Sequence, residues 1–463
     1  MAHRIALWSL ALAAMGSLMA GSLSAQIVGH WEGALNAGGV ELTIVLHITE
    51  ADSGLAATMD SPDQGAFGIR ASSVTVTGDS VNIPFASVGG AFQGHLSGEN
   101  GLDGSWTQGG QTFSLHLVRT EGEQPEARRP QEPTEPLPYQ AEDIVFSNAP
   151  AGIDLAGTLT LPNGPGPHPA VVLISGSGPQ NRDEEVFRHK PFLVLADHLT
   201  RQGIAVLRYD DRGVGESGGS FATATSADFM TDAEAALHYL ENRAEIDASR
   251  IGLIGHSEGG TIAPLLASRL DAVAFVVMIA GPGLRADSVL LLQAEAINRV
   301  AGATEAQIAT NRELQKQLFA AVMSDATDAD LDAALRRIFA EVAPSITGGT
   351  LEAQVAFVSS PWMRWFLRYD PEPALRGLQI PVLAVTGSND LQVIAEPNLS
   401  AIKTALTAGG NADFMTIELE GLNHLLQTSE TGLVSEYGQI EETMAPLALE
   451  TISDWIVRRV IES

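Results

Sequence analysis

Leu253-Ile-Gly-His-Ser-Glu-Gly-Gly260 centres a serine, Ser257, in a G-x-S-x-G pattern, and the reading of the chain turns on it. The apolar run Ile251 to Ile254 before it suits a strand, and Thr261-Ile-Ala-Pro-Leu-Leu-Ala-Ser268 after it suits a helix. A strand, a sharp turn and a helix are the context in which this pattern lifts a hydroxyl clear of a sheet. Gly255 and Gly259 leave room for a crowded backbone that pushes Ser257 into an unusual conformation.

Working outward, continuous apolar runs recur at Ala170-Val-Val-Leu-Ile174, Ala205-Val-Leu207, Ala274-Phe-Val-Val-Met-Ile279 and Pro381-Val-Leu-Ala-Val385. Strands that are apolar throughout are those covered by helices on both faces, so residues 139–463 are expected to form an α/β domain with a mostly parallel sheet. Between Gly283 and about Asp370 no strand is readable. Ser288-Val-Leu-Leu-Leu-Gln-Ala294 and Leu331-Asp-Ala-Ala-Leu-Arg-Arg-Ile-Phe339 carry helical spacing there, which predicts a helical cap over about 284–370.

The first part of the chain has a different grain. From Gln26 to Thr120, short runs such as Glu41-Leu-Thr-Ile-Val-Leu-His-Ile48, Ser73-Val-Thr-Val-Thr77 and Thr112-Phe-Ser-Leu-His-Leu117 alternate between Gly and Asn/Asp turns. They predict a small all-β barrel or meander of about nine strands, with Trp31 and Trp106 filling its core. Residues 121–138 are rich in Pro and Glu and read as a linker. Residues 1–25 have a basic start, an apolar stretch and small residues up to Ala25, the layout of a secretory signal peptide. A periplasmic or secreted location is the corresponding expectation, with no stable membrane insertion after signal removal. The chain has no cysteine, which excludes a disulfide framework, a thiol nucleophile and a cysteine metal site. A formal charge of −30 argues against nucleic acid as a partner.

A serine hydroxyl becomes a useful nucleophile only when a base takes its proton and a third group orients that base. For an elbow serine the expected chain order is serine, carboxylate, histidine. Of the eleven histidines only His424 follows Ser257, and it lies in Glu420-Gly-Leu-Asn-His-Leu-Leu426, after an apolar run. Asp390, at the end of the Pro381 to Val385 run, is the carboxylate candidate, with Asp271 and Glu418 as weaker rivals. An oxyanion hole needs two N–H donors. Glu258, next after the nucleophile, offers one, and the glycine-rich Ile174-Ser-Gly-Ser-Gly-Pro-Gln-Asn181 offers the other at Ser177, with Gly178 as alternate. Asp211 and Arg212 read as a charge-paired brace, His256 as packing, and Trp362, Trp365 and Phe366 as acyl-pocket or lid residues.

Five segments together, Ser175-Gly-Ser-Gly-Pro-Gln-Asn-Arg-Asp183, Tyr209-Asp-Asp-Arg-Gly-Val-Gly-Glu-Ser217, Gly255-His-Ser-Glu-Gly-Gly260, Gly387-Ser-Asn-Asp390 and Leu422-Asn-His424, resemble those of the α/β-hydrolase superfamily. The likeness is greatest to bacterial serine esterases related to the prolyl-oligopeptidase and serine-aminopeptidase branches. It implies Ser257 as nucleophile, Asp390 as acid and His424 as base, acting on a small-molecule ester through an acyl-enzyme without metal or organic cofactor. One departure is Ser175, which stands where many relatives have a histidine. Two other readings stay open: a serine aminopeptidase or oligopeptidase with the same triad, and a lipid- or glycan-binding protein whose hydrolase domain is vestigial.

Overall fold

A computed structural model describes residues 26–120 and 128–462, apart from 38–39, 52–53, 65, 99, 109–110 and 345. The expected signal peptide and the first part of the linker, 121–127, lie outside the described residues. The chain divides into two compact units, one ending at 127 and one beginning at Arg128, with Thr347–Glu352 grouped in the first.

In the first unit, alternation of apolar and polar residues produces nine antiparallel strands: β1 (Gly29–Ala37), β2 (Val40–Ala51), β3 (Gly54–Ser61), β4 (Ala66–Arg70), β5 (Thr75–Thr77), β6 (Ser80–Phe85), β7 (Gly90–Ser97), β8 (Gly101–Gln108) and β9 (Gln111–Thr120). Their order is β4-β3-β2-β1-β9-β8-β7-β6-β5, so pairing of the first strand with the ninth joins two meanders. The two meanders also meet after β4, where Ala71 N–H donates to Ala57 O at 2.9 Å and Ser72 N–H to Pro84 O at 2.8 Å. The inward positions, for example Val81, Ile83 and Phe85 on β6 and Leu115 and Leu117 on β9, are buried together with Trp31 and Trp106. Trp31 keeps its indole N–H satisfied on Ile27 O at 2.8 Å, as a buried donor requires.

The second unit is built on eight strands: β10 (Gln140–Asn148), β11 (Ile153–Leu161), β12 (His168–Ile174), β13 (Ala205–Tyr209), β14 (Ile246–His256), β15 (Phe275–Ile279), β16 (Val382–Gly387) and β17 (Phe414–Leu419). Their order is β10-β11-β13-β12-β14-β15-β16-β17. Pairing is antiparallel for β10 with β11 and β11 with β13, and parallel from β13 onward. Helices α1 (Pro191–Arg201), α2 (Ser226–Glu241) and α3 (Gly259–Ala267) connect the central strands. The parallel strands bury both faces. Val172, Leu253 and Met278 pack with α2 and α3 on one side, while Val171, Ile254 and Val277 pack with α1 and the last helix on the other.

After β15 the alternation stops, and α4 (Ala286–Val300), α5 (Glu305–Met323), α6 (Asp328–Val342), α7 (Gly348–Val358) and α8 (Pro361–Arg368) follow with no strand among the described residues. These helices occupy the interval for which a helical cap is expected. α9 (Glu372–Gly377), α10 (Ala395–Ala408), α11 (Val434–Tyr437) and α12 (Pro446–Val460) complete the chain. No described helix is long and apolar enough to cross a membrane.

Two features depart from the sequence reading. Strands β10 and β11 precede the first apolar run. The second half of the linker segment is part of the second unit: Arg129 donates to the carbonyls of Phe187, Arg188, Gly438 and Ile440, and Gln131 to that of Met444. An arginine with its donors spread over four carbonyls fixes the backbone that carries it, so this stretch is not a free spacer.

Candidate active site

Strand β14 ends at His256 and α3 begins at Gly259, leaving Ser257 on the turn with φ 51°. For a residue with a side chain this conformation costs on the order of 1–3 kcal/mol and persists only where the surroundings impose it. Here Ser257 N–H donates to Ile279 O at 2.9 Å, and a Cβ on Gly255 would stand 1.9 Å from Gly259 O. Only glycine at 255 allows the chain to double back so tightly.

Asp390 follows the end of β16, and His424 lies in the loop after β17, which pairs with β16. The two loops touch closely enough that a Cβ on Gly387 would meet Leu422 O at 2.0 Å. Asp390 Oδ1 accepts the N–H groups of Gln392 and Val393, both at 2.8 Å, which leaves Oδ2 to accept from His424 Nδ1 at 2.8 Å. Since Nδ1 is the donor in that bond, the neutral ring presents a lone pair at Nε2. His424 and Ser257 line one cavity of about 180 Å³, together with Ser177, His256, Phe187 and Tyr437. Ser257 Oγ makes no hydrogen bond to a described residue, an arrangement common in unliganded sites, where such contacts tighten on substrate binding. Among the described residues His424 Nδ1 pairs with Asp390 and with neither rival carboxyl, Asp271 or Glu418; Glu418 lies within β17 opposite Thr386.

The loop after β12 brings Ser177 to the same cavity. Among the described residues, neither Ser177 N–H nor Glu258 N–H donates to a protein acceptor, which leaves both open to a developing oxyanion. Gly178 has φ 98°, a conformation that suits glycine. Ser175 Oγ donates to Asp211 Oδ1 at 2.8 Å and Gln180 N–H to Asp211 Oδ2 at 2.9 Å, so Asp211 closes this loop. Burial pushes the Asp211 carboxyl up to about 7. Asp211 and Arg212 are not partners of each other: Arg212 Nε donates to Asp232 Oδ2 at 2.7 Å. Neighbouring residues on an extended turn point to opposite sides, so each finds its own counterpart.

Four contacts carry no signal in the sequence. The Glu258 side chain is buried, accepts from Trp362 Nε1 at 2.9 Å and from Ser226 Oγ, and its carboxyl is raised by burial. Trp362 thus ties the cap helix α8 to the elbow, and the tryptophan–phenylalanine stack it makes with Phe366 lies outside the cavity wall. His256, read as packing, donates from Nδ1 to Glu184 Oε1 at 2.8 Å and from Nε2 to His424 O at 3.0 Å. Glu184 sits in an acidic run, Asp183-Glu184-Glu185, that by itself reads as a solvated loop. Among the described residues no group of three or more His, Asp or Glu side chains is placed to hold a metal ion.

A doubly covered, mostly parallel sheet with a serine in positive φ at a strand-to-helix turn defines an α/β-hydrolase. Within that superfamily the chain belongs to the serine aminopeptidase S33 family, whose profile matches residues 189–428, more than half of the sequence. It is similar to Esterase EstD of Thermotoga maritima, at 27% identity over 353 residues covering 75% of this chain and 73% of that one. Among solved structures it is similar to an esterase of Pyrococcus furiosus (15% identity, 73% of this chain and 98% of that chain, TM-score 0.44). It is also similar to 2,6-dihydroxy-pseudo-oxynicotine hydrolase (16% identity, 70% and 69%, TM-score 0.41).

Proposed function

We propose that the protein is a serine esterase that cleaves carboxylic esters through Ser257, His424 and Asp390. The observation that carries the reading is the hydrogen bond that Asp390 accepts from His424, which lines the cavity that Ser257 also lines. His424 Nε2 accepts the proton of Ser257 Oγ as that oxygen attacks the ester carbonyl. Asp390 holds the ring in the tautomer this needs and stabilises the imidazolium that forms. The N–H groups of Ser177 and Glu258 take the negative charge of the tetrahedral intermediate. Collapse expels the alcohol, protonated by His424, and leaves an acyl-enzyme. Water, activated by the same imidazole, then releases the acid.

The likeness to an esterase of Thermotoga maritima supports ester over amide substrates. The cavity, about 180 Å³, is small beside the several hundred Å³ typical of ligand pockets and favours a short acyl group. The test is steady-state turnover of p-nitrophenyl esters of rising chain length and of aminoacyl-anilides by the wild type and by Ser257→Ala. Short esters should be the best substrates, with kcat lowered about 10⁶-fold in the variant. Turnover of anilides in preference to esters would replace the reading with the aminopeptidase one, and ester turnover unaffected by Ser257→Ala would remove the triad. The leader-like residues 1–25 support export; recovery of a full-length chain from the cytoplasm would overturn that part.

A further inference from the structure

His424–Asp390 is not the only imidazole–carboxyl pair in this site. His256, the residue before the nucleophile, is buried, and its ring centroid lies 4.9 Å from that of His424. Nδ1 faces the Glu184 carboxyl at 2.8 Å and Nε2 faces the His424 carbonyl at 3.0 Å. Both partners offer oxygen acceptors, so the ring meets both only with a proton on each nitrogen. Burial opposes that charge, but the charge and hydrogen bond of Glu184, the His424 carbonyl and the Asp390 charge together outweigh it and hold His256 above the usual histidine range. The same Glu184 Oε1 accepts Gly176 N–H at 2.6 Å, one residue before the oxyanion donor Ser177. Gly176 is packed into this junction: a Cβ there would stand 3.2 Å from both Ser257 Cβ and Glu184 Oε1.

We propose that Glu184 and His256 are positioning residues of the hydrolytic reaction, a buried pair that locks the oxyanion loop, the nucleophile elbow and the His424 loop into one unit. The proposal rests on the triad reading above. One carboxyl oxygen holds the oxyanion loop at Gly176 and the imidazole of His256; the far nitrogen of that imidazole holds the main chain of His424; and His256 is bonded to Ser257. A simple packing role is a poor account of these residues. Glu184 has φ 51°, is 2% exposed, and its second oxygen, Oε2, is buried without a hydrogen-bond partner among the described residues. Each of these features costs stability. An apolar side chain would fill the space at lower cost and would hold neither Gly176 nor His424. Errors of about 1 Å in the placement of reacting groups lower rates about 10²-fold, so a device that fixes three loops at once acts on kcat.

The experiment uses the full-length protein with Glu184→Gln, Glu184→Asp, His256→Asn and the double variant Glu184→Gln/His256→Asn. Ser257 is titrated to completion with a fluorophosphonate, so that turnover of p-nitrophenyl acetate is expressed per reactive site and misfolded material does not count. Glu184→Gln and His256→Asn should each lower kcat about 10²-fold with KM within about threefold, and Glu184→Asp about tenfold. The double variant should be no more than about threefold worse than the poorer single, because the two side chains act as one unit. The proposal is overturned if kcat per titrated site stays within about threefold of wild type in both single variants. It is equally overturned if the whole loss lies in KM, or if the double variant shows the product of the single losses. Ser257→Ala separates the two levels: an active Ser257→Ala protein removes the triad, whereas an inactive one beside fully active Glu184 and His256 variants removes only the pair.

Discussion

Two imidazoles that line one cavity are each held against a carboxyl with the same Nδ1 to oxygen distance, 2.8 Å: His424 with Asp390, and His256 with Glu184. What separates them is the other ring nitrogen. Nε2 of His256 donates to a carbonyl 3.0 Å away and cannot accept a proton without losing that bond. Among the described residues His424 Nε2 has no such acceptor, as the proposed proton transfer from Ser257 requires. The carboxyls differ as well. Asp390 is a saturated acceptor, with two N–H groups on Oδ1 and the imidazole on Oδ2, whereas Glu184 leaves Oε2 unpartnered. The pairing of histidine with a carboxyl therefore does not mark a general base; the environment of the far nitrogen does.

The largest effect that tests this contrast is Asp390→Asn. Removing the acceptor of His424 Nδ1–H favours the wrong tautomer, and kcat is expected to fall about 10⁴-fold. A loss no larger than that of Glu184→Gln, itself about 10²-fold, would erase the distinction between the two pairs.

Next is a third carboxyl beside the site, Asp211, which closes the oxyanion loop and is raised from an ordinary 3.8 to about 7 by burial. In the folded state it keeps its proton over a range in which the unfolded chain has lost it. Its contribution to stability is therefore full below about pH 4 and is lost as the pH rises to about 7, by about 4 kcal/mol at most. Asp211→Asn mimics the protonated form. Its Tm relative to wild type should climb as pH is raised from about 4 to about 7, and a difference independent of pH would show that Asp211 is ionised throughout. The smallest effect belongs to Trp362→Phe, which deletes the donor to Glu258 Oε1. Denaturant unfolding should show a loss of about 1 kcal/mol, with kcat/KM changed less than tenfold. A larger kinetic loss would mean that the cap contact positions the Glu258 N–H.

The sequence was most legible where chemistry is local. The turn at Ser257 needs glycine two residues to either side because the chain doubles back on itself there. Asp390 and His424 follow strand ends, where folds of this kind gather site residues, and a lone downstream histidine left little choice. The continuous apolar runs of β12, β14, β15 and β16 and the alternation of β2, β5 and β9 separated two kinds of sheet, one covered on both faces and one curved around a single core. Strands β10 and β11 were missed because a proline-rich stretch leads into them and β10 exposes alternate positions, among them Asp143 and Val145. Arg129 was read as linker because nothing adjacent in sequence reveals carbonyls some 58 to 311 residues away.

The chain by itself determined the class of sheet, the elbow and the identity of the three candidate catalytic groups, since each is written in a short segment whose backbone demands those residue types. Only the tertiary structure decided what surrounds them. The partner of His256 lies 72 residues away in sequence and that of the Glu258 side chain 104. An acidic loop residue and a buried carboxyl are the same letter until packing removes one of them from water. Desolvation, which makes Glu184 and Asp211 informative, is a property of the assembled fold and not of any segment.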